Sequence, residues 1–164
     1  MSGDDRFERV AQEYGPSLRR LASAWERDPA ASEDLLQEIL LALWRALPRF
    51  RAEATERTFV YRVAMNRALT HRYRRRPHVE PLEAAVHVAD SRQTPEAEAT
   101  ASQQRAQVLG KLQSLPFAMR QILSLSLEGL SRAEIAGILG ISENNANVRL
   151  SRARRALHEA MNRT

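Results

Sequence analysis

The 164-residue chain contains no cysteine, which excludes disulfides and thiol catalysis and suits a reducing compartment. Glycine is scarce, at six residues, and aromatics make up only 5%, which argues against a strand-rich fold. No apolar run approaches the length of a membrane span, and the opening MSGDDRFERV lacks a signal-peptide core. A soluble, cytoplasmic chain without membrane insertion is therefore expected. His71, His78, His87 and His158 lack metal-site spacing, and no glycine-rich phosphate loop occurs. No metal, cofactor or catalytic residue is expected, and the chain does not read as an enzyme. Lysine is nearly absent too: Lys111 stands alone among 25 basic residues.

What is present is arginine and helical periodicity. The net charge is +5, and arginine binds phosphate and guanine bidentately, so the balance fits a nucleic-acid partner. A GC-rich genome would favour the same codons, and the two explanations are compatible. Hydrophobic content of 43% supports packed cores. The apolar spacing is helical almost throughout, which predicts an all-α fold. Its parts are two small helical domains, 1–76 and 103–164, joined by a flexible linker at 77–102.

The most informative stretch is LSRAEIAGILGISENNANVRLSRARRAL, at 130–157. Ser131 and Glu134 form a capping box, followed by an apolar stripe of Ile135, Ala136, Ile138 and Leu139. Gly140 supplies a tight turn. Ser142 restarts a helix whose Ala146, Leu150, Ala153 and Leu157 share one face. The other face carries Arg149, Arg152 and Arg155, with Arg154 beside them, and Asn144, Asn145 and Asn147 stand at the helix start. Two short helices, a small-residue turn and a basic second helix describe a helix-turn-helix, whose second helix enters the major groove. A helical hairpin with solvated arginines is the alternative. The absence of any acid between 144 and 157 weighs against it.

Upstream, residues 6–27 read as a helix with a candidate break at Gly15-Pro16, ended by Pro29. Ser32 is the expected cap of the next helix, SEDLLQEILLALWRAL, with Leu36, Ile39, Leu40, Leu43 and Leu47 toward a core. Asp34, Gln37 and Glu38 lie on another side, near Leu41 and Trp44. That stripe fits a docking surface or an ordinary amphipathic helix equally well. After a polar loop, a long helix, RTFVYRVAMNRALTHRYRRR, holds seven arginines and no acid, with Phe59, Tyr61 and Tyr73 interleaved. Cations that track a backbone, with aromatics that stack on bases, suit single-stranded DNA. Phe59 and Tyr61 fit a core as readily. Asn66, a poor helix former, sits mid-helix as if for a polar contact. Residues 77–102 carry three prolines, five acids and one arginine, as a flexible acidic linker would, with a helix beginning near Thr100. Pro116 opens the next helix at its N1 position, with Met119, Ile122, Leu123 and Leu127 as its apolar stripe, and Gly129 closes it.

EDLLQEILLALWRAL, FRAEATERTFVYRVAMNRALTHRYRRR and LPFAMRQILSLSLEGLSRAEIAGILGISENNANVRLSRAR, in this order, resemble the extracytoplasmic-function group of bacterial sigma-70 family sigma factors. The resemblance implies a promoter-specificity subunit with core RNA polymerase, its β′ and β subunits, and promoter DNA as partners, and an anti-sigma factor as regulator. It implies that Asp34, Gln37, Glu38 and Leu41 dock on the β′ coiled coil. It places Phe50, Arg51, Phe59, Tyr61, Arg62, Asn66, Arg74 and Arg75 at the minus-10 element, Asn66 near a flipped-out base. Asn145, Asn147, Arg149, Arg152 and Arg154 fall at the minus-35 element. The linker resembles the segment that threads the polymerase channel, and a plain tether fits it as well. Departures are Ala52-Glu53 where a Gly-Asp-like pair is common, Phe59 in place of tryptophan, and Asn144-Asn145-Ala146-Asn147-Val148 at the recognition helix. Two rivals remain: an autonomous, dimeric DNA-binding regulator using only the C-terminal motif, and an interaction protein that binds polymerase without touching DNA.

Overall fold

The structure, a computed structural model, describes residues 2–75 and 97–163. Most of the acidic linker expected at 77–102 lies outside the described residues. Among the described residues all regular structure is helical: α1 (Gly3–Trp25), α2 (Pro29–Ala46), a 3-10 turn (Leu47–Arg49), α3 (Glu56–Arg75), α4 (Ala97–Gln113), α5 (Phe117–Leu127), α6 (Arg132–Leu139) and α7 (Glu143–Asn162). The first three helices pack on one another as one unit, and α5, α6 and α7 as a second that α4 joins along α7.

α1 begins earlier than expected, because Ser2 and Asp5 form a capping box ahead of it. It also runs unbroken through Pro16. Pro16 and Gln12, whose carbonyl loses its amide partner, both face solvent, so water satisfies the group that proline frees. Pro29 starts α2 rather than ending α1. Asp28 accepts the Ala31 N–H at 3.1 Å as N-cap, and Pro29 takes the first helical position, where its missing N–H costs nothing. Ser32 is thus inside the helix and not its cap. Thr55 starts α3, accepting the Thr58 N–H at 3.1 Å.

The core of the first unit is built from Val10, Leu18 and Leu21 of α1, Leu35, Leu36, Ile39 and Leu43 of α2, Leu47, and Val60, Ala64 and Met65 of α3. In the second unit Ile122, Leu123 and Leu125 of α5 meet Ile135, Ala136 and Ile138 of α6 and Ala146, Leu150 and Ala153 of α7. Pro116 proves to be the N-cap of α5, one residue before the helix. The expected α5 stripe shifts as well: Leu127 is 62% exposed and Leu125 is fully buried. A helix only 11 residues long that packs on α1, α6 and α7 turns more than one stripe inward.

The helix-turn-helix forms as its residues dictate. Ser131 Oγ accepts the Glu134 N–H at 3.1 Å while Glu134 accepts the Ser131 N–H at 2.7 Å. Gly140 adopts φ +69°, a left-handed conformation that side chains resist, and the Ile141 N–H closes on the Ala136 carbonyl at 3.0 Å. Ser142 then caps α7 through the Asn145 N–H at 3.0 Å.

The two units meet. α1 packs on α5 and α4, and α3 packs on α6. Trp25, 3% exposed, donates its indole N–H to Ser124 at 2.9 Å across this seam.

Leu43 is fully buried, and Leu43→Ala is expected to lower unfolding free energy by about 2–5 kcal/mol in denaturant titration. Leu127→Ala is expected to change it by less than about 0.5 kcal/mol. Equal costs would mean the register of α5 is misassigned.

Candidate nucleic-acid and polymerase interfaces

Three surfaces hold the residues that sequence reasoning singled out. The first lies along α2. Asp34, Gln37 and Leu41 are exposed on one stripe at i, i+3 and i+7, and Trp44 extends it by a further turn at 49% exposure. Trp44 also donates its indole N–H to Asp4 at 3.3 Å. A large apolar ring left half-exposed next to carboxylates is an interface feature. Its place among the site residues was readable from the i+3 spacing after Leu41. Glu38 is different. It is half-buried and turned toward α3, where Arg67 donates to it at 3.1 Å and the His71 Nδ1 lies in hydrogen-bond contact. His71, 8% exposed, has Glu26 on its other side, Nε2 to Oε1 3.4 Å. Burial would raise the Glu38 carboxyl pKa, but hydrogen bonds from His71 and Arg67 outweigh it and hold the group below the ordinary carboxylate range.

The second surface is α3 with the loop before it. Phe50 packs on Phe59 with ring centroids 4.8 Å apart, and the Arg6 guanidinium lies 4.9 Å over the Phe50 ring. Arg51, Asn66 and Arg74 are exposed, as are Leu69, Thr70 and Tyr73, the last at 82%. The side chain of Arg75 lies outside the described residues. Tyr61 faces inward, 4% exposed. Its hydroxyl lies 2.6 Å from Ser17 Oγ, which donates its single proton to Glu128 at 2.9 Å, so the tyrosine must be the donor to Ser17. Burial pushes the Tyr61 phenol above its usual value, which keeps that proton in place. Arg62 reaches the second unit, donating to the Gly137 carbonyl at 3.1 Å. The structure thus brings Phe50 and Phe59 together, leaves Arg51, Asn66 and Arg74 in the open, and places Tyr61 and Arg62 at the seam.

The third surface is α7. Asn147, Arg149, Arg152 and Arg154 are exposed, and Asn145 is half-exposed. Arg149 Nε donates to Asn145 Oδ1 at 3.0 Å, which fixes the guanidinium with both Nη groups free. Arg154 donates to Ser126 Oγ at 3.3 Å. Among the described residues no carboxylate pairs with Arg149, Arg152, Arg154 or Arg155. Four unneutralised guanidinium groups on two turns of helix, behind a helix-turn-helix, form a phosphate-binding and base-reading face. No group of His, Asp or Glu able to hold a metal ion occurs among the described residues. Nor is any described helix long and apolar enough to cross a membrane.

A helix-turn-helix with a basic face lacking carboxylate partners, beside a second helical unit rich in arginine, is the architecture of a DNA-binding protein. Sigma-70 region 2 matches residues 10–77, and Sigma-70, region 4 matches residues 105–157. The chain is 30% identical over 153 residues to the ECF RNA polymerase sigma factor SigM of Mycobacterium tuberculosis, covering 92% of this chain and 74% of that one. It is 32% identical over 134 residues to the ECF RNA polymerase sigma-E factor of Escherichia coli, covering 76% and 70%. Its fold is similar to CnrH in complex with the cytosolic domain of CnrY, at TM-score 0.67 and 20% identity over 95% of this chain and 87% of that one. It is similar also to RpoE of Bartonella quintana in complex with the anti-sigma factor NepR, at TM-score 0.71 and 21% identity over 95% and 96%. The chain belongs to the sigma-70 family, in its extracytoplasmic-function group. It is a sigma factor and not an enzyme.

The bonds to Glu38 give a pH dependence with a definite sign. A carboxyl whose pKa is depressed on folding stabilises the fold at neutral pH, and that contribution is lost as pH falls through the folded value, below the ordinary carboxylate range. Glu38→Gln is expected to be less stable than wild type at pH 7, with the gap narrowing toward pH 3 in thermal melts. A gap independent of pH would show that the carboxylate charge contributes nothing.

Proposed function

We propose that this sigma factor holds core polymerase through α2 and reads its promoter with two separate surfaces. Asp34, Gln37 and Leu41 dock on the β′ coiled coil, with Glu38 setting the spacing of α2 and α3 from behind. The exposure of that stripe, with Trp44 at its end, supports this assignment. The minus-10 element is taken by the loop and helix carrying Phe50, Arg51, Phe59, Tyr61, Arg62, Asn66, Arg74 and Arg75. Asn66, exposed at mid-helix with amide donors and an acceptor, suits the edge of an unstacked base. The minus-35 element is read in the duplex by Asn145, Asn147, Arg149, Arg152 and Arg154. The absence of carboxylate partners on that face carries the reading. Residues 1–76 act as the region 2 domain, 103–164 as the region 4 domain, and the segment between them as the tether toward the β subunit and the RNA channel.

Two weak contacts on one chain gain from effective concentration once polymerase fixes their separation. An anti-sigma protein fits as regulator, since two solved structures of similar fold are complexes, one of them with the anti-sigma factor NepR. An autonomous regulator would leave the exposed α2 stripe unused.

Purified chain is expected to be retained stoichiometrically by bacterial core polymerase and to support run-off transcription that requires both. A chain that ignores core polymerase refutes the proposal. Arg149→Ala and Arg152→Ala are each expected to weaken promoter binding by the holoenzyme and to reduce the salt slope by about one charge, with core binding unchanged. Loss of core binding in either variant would mean that the face of α7 is misassigned.

A further inference from the structure

The outer face of α7 has a centre and two flanks. Ala146, Leu150 and Ala153 are buried and define the inner side of the helix. Successive residues are about 100° apart around an α-helix, so Val148, two positions from both Ala146 and Leu150, stands nearly opposite them. Asn144 precedes it by one turn and Arg152 follows it by one, so the three share a row along the centre of the outer face. Asn147 and Arg149 lie on the flanks of that row. Arg149 is also tied sideways, its Nε donating to Asn145 Oδ1 at 3.0 Å.

Val148 is the odd member of this face. It is 40% exposed, and from 142 to 155 every other exposed residue is Ser, Glu, Asn or Arg. An isolated exposed aliphatic residue is ordinary on a protein surface. Its position is not ordinary here, because the second helix of a helix-turn-helix presents its N-terminal turns to base edges in the major groove. Val148 lies in the second turn of α7. The base edges in that groove carry hydrogen-bond donors and acceptors and one apolar substituent, the C5-methyl group of thymine. The valine side chain has no hydrogen-bonding atom with which to read the polar groups. Its branched Cβ leaves a single strongly preferred rotamer in a helix, so its two methyl groups are held in place before DNA arrives. Arginine contacts to phosphate give affinity without sequence, whereas a contact to this methyl group carries sequence.

We infer that Val148 is a specificity-determining residue, packing on the methyl group of a thymine in the minus-35 element, with Asn144 and Arg152 bonding to polar edges of the flanking bases. This role rests on the assignment of α7 to that element, and it adds Asn144 and Val148 to the residues that meet the bases.

Deoxyuridine differs from thymidine by that one methyl group, which isolates the contact. Holoenzyme assembled from the full chain and bacterial core polymerase first selects a promoter from a duplex library randomised over both elements. Each thymine of the selected minus-35 element, on either strand, is then replaced singly by deoxyuridine. One replacement is expected to weaken promoter retention by wild type about fourfold, the worth of one buried methyl group, and by the same factor as salt is raised. Val148→Ala is expected to retain the thymine and deoxyuridine promoters equally, with core binding intact. A selected element without thymine, an element in which no thymine responds, or a Val148→Ala variant that discriminates as wild type does would overturn the inference. Arg152→Ala separates this from the broader reading. If that variant loses promoter retention while no thymine responds, only the role of Val148 falls. Unchanged retention removes α7 from the minus-35 element, and Val148 with it.

Discussion

The Glu128 carboxylate is the point at which the two helical units become one body. It ends α5, receives a two-pronged contact from Arg20 and a proton from Ser17, and through Ser17 fixes the Tyr61 hydroxyl. Each of these groups is satisfied only when α1, α3 and α5 are together. A polar chain of this kind contributes little net stability compared with apolar packing, but it tolerates no half-made state, because an unpaired buried carboxylate is far costlier than an exposed one. Apolar and aromatic groups run through the same seam: Trp25 is buried against α5, and the Arg72 guanidinium lies 4.2 Å over the Phe117 ring.

The distribution of charge follows from the same constraint. A chain with 24 arginines and one lysine can use the planar guanidinium fork both to cap carbonyls and to bind phosphate. On α7 the forks point to water and only Asn145 and Ser126 steer them. On α3, Arg57 and Arg62 reach carbonyls of the other unit, Arg67 holds Glu38, Arg72 lies over the Phe117 ring, and Arg74 is exposed. One helix therefore links α2 to the C-terminal unit. Through Glu38 it is bonded to the helix that presents Asp34 and Gln37, and through Arg57 and Arg62 to the ends of α5 and α6.

Local chemistry was legible in the sequence wherever a motif closes on itself. The Ser131–Glu134 box, the left-handed Gly140 and the Ser142 cap each depend on residues within a few positions, and each stands where the spacing put it. Pro29 went wrong for a local reason too: proline stops one helix and starts another, and the deciding residue is Asp28, a better cap than Ser32 at that point. The errors of another kind are tertiary. Leu127 and Leu125 have equal apolar character, and only the packing of α5 against three helices selects one for the interior. Tyr61 was open between core and base stacking. Its hydroxyl partner Ser17 lies 44 residues before it, and Ser17 is held in turn by Glu128, 111 residues from Ser17. No periodicity within α3 carries that information.

The C-terminal unit has four acids, of which Glu128 and Glu134 lie in the seam and Glu143 and Glu159 on α7. If Glu128 and Glu134 were surface residues of an independent DNA-binding module, each would subtract from the positive field that draws the duplex to α7. Paired with Arg20 and Arg57 they subtract less from it, and Glu143, exposed in the first turn of α7, is left as the acid nearest the basic face.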